Sequence, residues 1–299
     1  MALFSIIIPT YNRASLITKT IDSVLAQTFK DFEIIVIDDK STDNTSEVLK
    51  PYIADNLIRY YVNERNSERA ISRNRGIDEA KGKYISLLDS DDILFPSCLA
   101  TATEFLSQHS DCHFFHCKCV FINEKHEVIS KHSSPASDNA FKEIMKGNYI
   151  SNIGFFLLAE TAKKLRVDEN PIFRGVEDYD FVIRVIAECG GAMTIDRYEC
   201  GVLMHPQRSV FTDEWEFTYR RTMTFMQKQL EADYFRKHYW QYKNILVSHL
   251  YLYLVAFLAI RKKTGKAIMF LLKAMKVKPS IIFSKIFWRH VFVITKYSV

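Results

Sequence analysis

Short apolar runs alternate with amphipathic helical stretches through the first third of the chain. Phe4–Pro9 is a continuous apolar run of strand length that stops at Thr10-Tyr11-Asn12-Arg13. Ile17, Ile21, Val24 and Leu25 then share one face of a helix over Ser15–Gln27. Glu33–Ile37 repeats the strand pattern and ends in Asp38-Asp39, and Thr45, Val48, Leu49 and Tyr52 mark a second helix. Ile58–Val62 and Arg69–Ala80 supply a third strand and helix, closed by Gly82. Tyr84–Leu88 is the fourth strand, and it runs straight into Asp89-Ser90-Asp91-Asp92. Apolar strands joined by helices of this length predict an α/β, Rossmann-like fold with a mostly parallel, doubly wound sheet and right-handed crossovers.

The pattern then changes. Cys112–Ile122 alternates like a strand, 141–147 reads as a short helix, and Asn152–Phe156 leads into another strand. Phe181–Cys189 is an amphipathic helix with Val182, Val185 and Ile186 inward, and a strand after Ile195 runs out at His205. From Asp213 the chain reads as helical, with Trp215, Tyr219, Met223 and Met226 on one face. Ile245–Ile260 is almost wholly apolar, but its 16 residues fall short of the ~20 a bilayer span needs, which predicts a packed or interfacial helix. The expected organisation is an α/β domain over 1–212, divided near residue 110, followed by a helical region over 213–299.

The polar residues narrow the chemistry. Three strand ends, at Pro9-Thr10-Tyr11, Asp38-Asp39 and Asp89–Asp92, project to the same edge of a parallel sheet, where open α/β sheets bind ligands. Three carboxylates in four positions are costly unless a cation or donors meet them, and hard oxygen ligands favour Mg²⁺ or Mn²⁺. Ser90 or Asp91 could instead cap a helix starting near Ile93, which accounts for one of them. No G-x-G-x-x-G and no G-x-x-x-x-G-K-[ST] is present, so neither a dinucleotide fingerprint nor a P-loop applies. A nucleotide here would be gripped by carboxylates and a metal. An aspartate at the end of strand two can accept from a base N–H or a ribose hydroxyl. Glu177-Asp178-Tyr179-Asp180, before the helix at Phe181, offers one carboxylate for capping and another for a cleft.

Five stretches in this order resemble the family 2 glycosyltransferases of the GT-A fold: Ser5–Arg13, Val36–Thr45, Ser72-Arg73-Asn74-Arg75-Gly76-Ile77, Leu87–Asp92 and Glu177–Phe181. The resemblance spans roughly residues 4–210. It implies an inverting transferase that moves a sugar from a nucleotide donor, usually of uridine diphosphate, to a hydroxyl of a glycan or lipid-linked glycan. It places Pro9, Thr10, Tyr11, Asp39, Arg73, Asp89 and Ser90 around the donor, Asp91 on a Mn²⁺ or Mg²⁺ ion, and Asp178 as catalytic base. His205 would complete the metal site or touch the diphosphate. On this reading 1–110 is the nucleotide-sugar half and 111–212 the acceptor half. Two departures stand out. Asn66–Ile71 lacks the glycine-rich loop of many relatives. His205-Pro206-Gln207-Arg208-Ser209 does not match the Q-x-x-R-W of processive synthases, which points to a non-processive, bacterial-type enzyme.

Composition adds one further feature. Hydrophobic content of 48% and aromatic content of 13% suffice for a core and argue against disorder. Met1–Ile6 shows no basic leader or cleavage site, so no export signal is expected, and the six cysteines, at no metal-ligand spacing, read as reduced thiols. The net charge of +5 is unevenly spread: residues 234–299 hold 13 Lys or Arg and no Asp or Glu, leaving the rest at −8. Lys266–Val277 and Ile281–Ile294 set these cations beside apolar and aromatic residues, as in helices that lie on an anionic membrane. A peripheral, cytoplasmic enzyme at the inner membrane face is expected. Two alternatives follow from the same residues: a metal-dependent nucleotidyltransferase, or a nucleotide- or nucleic-acid-binding protein using the basic tail. The first lacks a glycine-rich triphosphate loop. The second suits poorly a tail so rich in Ile, Leu and Phe, so no nucleic-acid partner is expected.

Overall fold

The computed structural model describes residues 2–132, 139–205 and 214–297. Pro206–Ser209, compared above with the processive motif, and Asp213 lie outside them. The chain divides into two compact units, residues 1–138 with 149–211, and residues 139–148 with 212–299.

The first unit is built on one sheet. Strands β1 (Phe4–Thr10), β2 (Phe32–Asp38), β3 (Arg59–Val62) and β4 (Tyr84–Leu87) are mutually parallel in the order β3-β2-β1-β4. Helices α1 (Ile17–Leu25), α2 (Thr45–Ala54) and α3 (Glu68–Glu79) connect them. Every residue of β1 and β4 is buried, because helices cover both faces of a parallel sheet and β-branched side chains fill the pleat. The register sets Thr10 beside Asp38 and Ile7 beside Leu87. The strands therefore run out together, and their polar ends share one edge.

Beyond β4 the sheet is mixed. It continues through β8 (Phe155–Leu158), β6 (Phe114–Ile122), β9 (Met193–Leu203) and β5 (Ile93–Leu94), with β7 (Val128–Lys131) paired to β6. β8 is antiparallel to both β4 and β6, whereas β6 and β9 are parallel. No helix begins near Ile93: Ile93 and Leu94 pair with Gly201 and Cys200 of β9, and α4 starts only at Cys98 and runs to Gln108. Neither Ser90 nor Asp91 is thus a helix cap. Two more helices complete this unit, α6 (Ala159–Leu165) and α7 (Glu177–Cys189). α7 starts four residues earlier than its apolar periodicity suggests, so the acidic residues form its first turn, where they suit the helix dipole.

The second unit is helical: α5 (Ala140–Glu143), α8 (Trp215–Glu231), α9 (Asp233–His238), α10 (Lys243–Ile260), α11 (Thr264–Val277) and α12 (Lys285–Tyr297). Asn139–Asn148, read from sequence as part of the acceptor half, groups with these helices. α10 is the hub. Its Leu254, Val255 and Leu258 pack with Trp215 of α8, Phe270 of α11 and Ile294 of α12, and its Leu252 packs with Ala274 and Phe287. Each such aliphatic side chain contributes about 1.5–3 kcal/mol when fully buried. The turn Trp240–Tyr242 extends α10, so the apolar stretch Trp240–Ile260 reaches 21 residues, with 44% of its most apolar window buried. By length and composition it could cross a bilayer, which corrects the shorter estimate from sequence. Its buried contacts are equally those of a core helix.

Candidate active site

A cleft of about 190 Å³, open to solvent, lies at the shared strand edge. Pro9, Thr10 and Tyr11 line it from β1, Asp39 from β2, and Asp89, Ser90 and Asp91 from β4. Arg13, Arg69 and Ser72 complete much of the wall.

Two loops at this edge are bound to each other. Asn12, at φ 51°, accepts through Oδ1 from the amides of Thr42 and Asp43. The Asn12 amide donates to Ser41 Oγ, and the Arg13 amide to Thr45 Oγ1. Asp38 accepts from the Ser41 amide and from the Tyr60 hydroxyl. Most of the polar residues in these two stretches therefore hold the loops in place.

Asp39 is buried, and its own side chain is heavily engaged. Its oxygens accept from Asn63 Nδ2 at 2.7 Å and from the amides of Ser67 and Glu68 at 2.9–3.1 Å. It ties down the entry to α3, whose first four amides have no partner within the helix. Thr10 Oγ1, by contrast, is buried with no hydrogen-bond partner among the described residues.

α3 runs beneath the cleft and is buried through polar residues. Ser72 Oγ accepts from Asn63, at 2.9 Å. Asn74 bonds the carbonyl and the amide of Val167, at 2.9 and 2.8 Å. Arg75 reaches the Val62 carbonyl and Asn63 Oδ1. Gly76 leaves room for β1, because a Cβ there would stand 2.2 Å from Ile7 Cγ2. Arg73 is 1% exposed and lies 2.8 Å from both Asp89 Oδ1 and Glu177 Oε1. It is thus no part of the cleft wall, although it braces a wall residue.

The acidic turn after β4 is pinned from the far strand. The Asp92 amide donates to the Asp89 carbonyl, and Asp92 Oδ1 accepts from the Leu203 amide at 2.9 Å. That bond fixes the end of β9, from which His205 reaches back so that its Nε2 is 2.9 Å from Asp91 Oδ2. Arg13 Nε lies 3.8 Å from the same oxygen. One oxygen each from Asp89, Asp91 and Asp92 can be found within 4.8 Å of one another. Three carboxylates on one turn, with an imidazole beside them, fit a hard divalent ion such as Mn²⁺ or Mg²⁺.

Asp178 stands at the start of α7 beside Glu177. Glu177 is buried and accepts from Arg73 and from the Gly175 amide. Asp180 is buried and paired with Arg184 at 2.9 Å. None of the three caps α7 from the N-cap position, which Val176 fills. Burial pushes the Asp178 carboxyl up to about 6, and the Glu177 charge adds to this while Arg73 opposes it. Asp178 is not in the cleft wall itself, but Asp89 and Arg73 are close enough to act on its charge.

The arrangement brings Thr10, Asp39, Asp89, Ser90 and Asp91 to one cleft, with Arg73 and His205 each bonded to one of its wall residues. Sequence reasoning passed over Glu177, Arg13 and Asp92 as separate participants. Asp92 was visible as the third acid of the run; Glu177 carried no signal beyond its place before Asp178.

A mixed sheet with acids at its parallel strand ends is the architecture of the GT-A transferases. Solved structures agree: S. aureus TarS 1–349 in complex with UDP-GlcNAc superposes with a TM-score of 0.64 at 18% identity, covering 94% of this chain and 91% of that one. The mannosyltransferase PcManGT from Pyrobaculum calidifontis, in complex with GDP-Man and Mn²⁺, gives 0.61 at 16% identity, covering 99% and 84%. Residues 5–163, more than half of the chain, match the family described as Glycosyl transferase family 2. The protein belongs to that family.

An uncharacterised glycosyltransferase of Methanocaldococcus jannaschii is 35% identical over 192 residues, 62% of this chain and 65% of its own length. The GalNAc(5)-diNAcBac-PP-undecaprenol beta-1,3-glucosyltransferase of Campylobacter jejuni is 34% identical over 152 residues, 50% of this chain and 48% of its own. An uncharacterised glycosyltransferase of Rickettsia felis matches over 23% of its length. The chain thus spans less than two thirds of these curated relatives.

Proposed function

We propose that the protein is a non-processive inverting glycosyltransferase that moves a sugar from a nucleotide donor, uridine diphosphate being favoured, to a hydroxyl of a glycan carried on lipid. The observation that carries this reading is the convergence of Asp89, Asp91, Asp92 and His205 at the edge of the cleft, joined through Arg73 to the turn bearing Asp178. Neighbours solved with UDP-GlcNAc and with GDP-Man and Mn²⁺ support a nucleotide-sugar donor and a divalent ion. The Campylobacter relative, named for an undecaprenol-linked acceptor, supports a lipid-linked one and a role in building surface glycans.

In this reading Asp91 and His205 hold the ion with Asp89 and Asp92 beside them, and when bound it supplies Lewis-acid stabilisation of charge on the departing diphosphate. Pro9, Thr10, Tyr11 and Ser90 shape the nucleotide seat. Thr10 Oγ1 offers a free hydrogen-bonding group, while Asp39 meets the nucleoside by exchanging one of its backbone donors. Arg73 braces the site from behind, where the sequence had set it against the nucleotide. Asp178, largely ionised at neutral pH, takes the proton of the acceptor hydroxyl as that oxygen attacks the anomeric carbon opposite the leaving group. One displacement inverts the anomeric configuration. The enzyme works as a peripheral protein at the inner face of the cell membrane.

A screen of nucleotide sugars for Mn²⁺-dependent hydrolysis and thermal stabilisation tests the proposal. A uridine diphosphate sugar should be cleaved slowly and should raise the melting temperature only with metal present. Cleavage of nucleoside triphosphates in preference to nucleotide sugars would overturn it.

A further inference from the structure

α11 and α12 each bury one apolar face and expose another. On α11, Ala267, Phe270 and Ala274 are buried, while Ile268, Met269 and Leu272 lie on the opposite side at helical spacing and are exposed. Lys273 and Lys276 stand on the same outward side. On α12, Phe287 and Ile294 are buried, and Lys285, Trp288, Arg289 and Phe292 face outward. Phe283, just before α12, is 86% exposed, and Phe292 and Trp288 are 65% and 61% exposed. No other large apolar side chain among the described residues is as exposed as these three.

Single exposed apolar residues are ordinary, but strips of them on two adjacent helices mark a contact surface. The charge decides the partner. Residues 234–299 carry 13 cations and no acid. A second copy meeting this face by two-fold symmetry would bring cations to cations, with no acid on residues 234–299 of either copy to pair them. Nucleic acid would satisfy the cations but leave Ile268, Leu272 and Phe292 against a polar backbone. An anionic bilayer satisfies both sets. Aromatic rings settle at the headgroup boundary, aliphatic side chains enter just below it, and lysines and arginines meet the lipid phosphates.

We infer that the outward faces of α11 and α12 are a docking surface for an anionic lipid bilayer, with Phe283, Trp288 and Phe292 as interfacial anchors and Lys285 and Arg289 as headgroup contacts. This gives the membrane-facing part of the proposed function a specific place. Lipid binding is measured without a sugar donor, so its failure and the failure of donor turnover are separate results.

The full chain is sedimented with phosphatidylcholine vesicles made with and without phosphatidylglycerol. Wild type should pellet with the anionic vesicles and be released as salt rises. Lys285→Gln with Arg289→Gln should weaken partitioning roughly 30-fold, at about fivefold per cation. Phe283→Ser with Phe292→Ser should weaken it at low salt too. Circular dichroism and donor hydrolysis should match wild type in both, since these side chains are exposed. Equal binding to neutral vesicles, unchanged binding by both variants, self-association abolished by them, or binding to RNA in place of lipid would each overturn the inference.

Discussion

Arg73 Nη1 lies 2.8 Å from Glu177 Oε1 across 104 positions of sequence, with both side chains buried. The other end of the guanidinium holds Asp89. One planar cation therefore fixes the acidic turn after β4 and the turn that presents Asp178. Only arginine has the forked geometry to grip two carboxylates at once.

Removing that cation leaves Glu177 buried without its main partner. Arg73→Met is expected to destabilise the protein by about 3–5 kcal/mol, read as a lower urea midpoint. Arg73→Lys should recover part of the stability, because it restores charge without the fork, and less of the activity.

Asp178 has a pH signature. With its carboxyl pushed up from 3.8 to about 6, the rate of transfer should fall as pH drops through 6 and the base takes up a proton. Stability runs the other way. The native state holds this proton more tightly than the unfolded chain does, so the contribution of Asp178 becomes less favourable as pH rises from about 4 to about 6 and stays so above it. Asp178→Asn should lose about 10²–10⁴-fold in turnover, bind nucleotide nearly as well, and melt a few degrees higher at neutral pH. A variant that kept wild-type turnover would remove Asp178 from the role of base.

Asp91 and His205 can be separated by metal titration. At roughly a hundredfold excess of Mn²⁺ over its Kd, wild type should gain about 2–3 kcal/mol of stability, and Asp91→Asn should gain almost none. His205→Ala should bind the ion about 10–100-fold more weakly. Calorimetry without any sugar donor makes the measurement.

Thr10→Val removes a buried hydroxyl that has no hydrogen-bond partner among the described residues. It should leave the melting temperature unchanged or higher, while nucleotide affinity falls about fivefold, near 1 kcal/mol. A drop in stability with unchanged affinity would show that the hydroxyl serves the fold.

Much of this was readable beforehand, for physical reasons that differ along the chain. β1, β2 and β4 are buried on both faces, so their apolar runs were plain, and the acids where they end had to share an edge. Ser72–Gly76 was legible only as a motif. Its purposes are long-range: Ser72 to Asn63, Arg73 to Glu177, Asn74 to Val167, and Gly76 to Ile7. Nothing local records such partners. Ile93-Leu94 looked like a helix start because a two-residue strand is too short to show alternation, and its pairing with Gly201 and Cys200 is set by tertiary structure. The length of α10 was missed because Trp240–Tyr242 is polar at its edge yet continues the turn.

Asp39 leaves this chain little latitude. Its carboxylate secures the opening of α3, the helix that carries Arg73. If the same residue also greets the nucleobase, replacing it to suit a different base would unfasten the scaffold behind the reaction centre. A shift in donor preference is then more easily reached through Thr10, Tyr11 or the loop at Asn66, where side chains can change without loosening the frame.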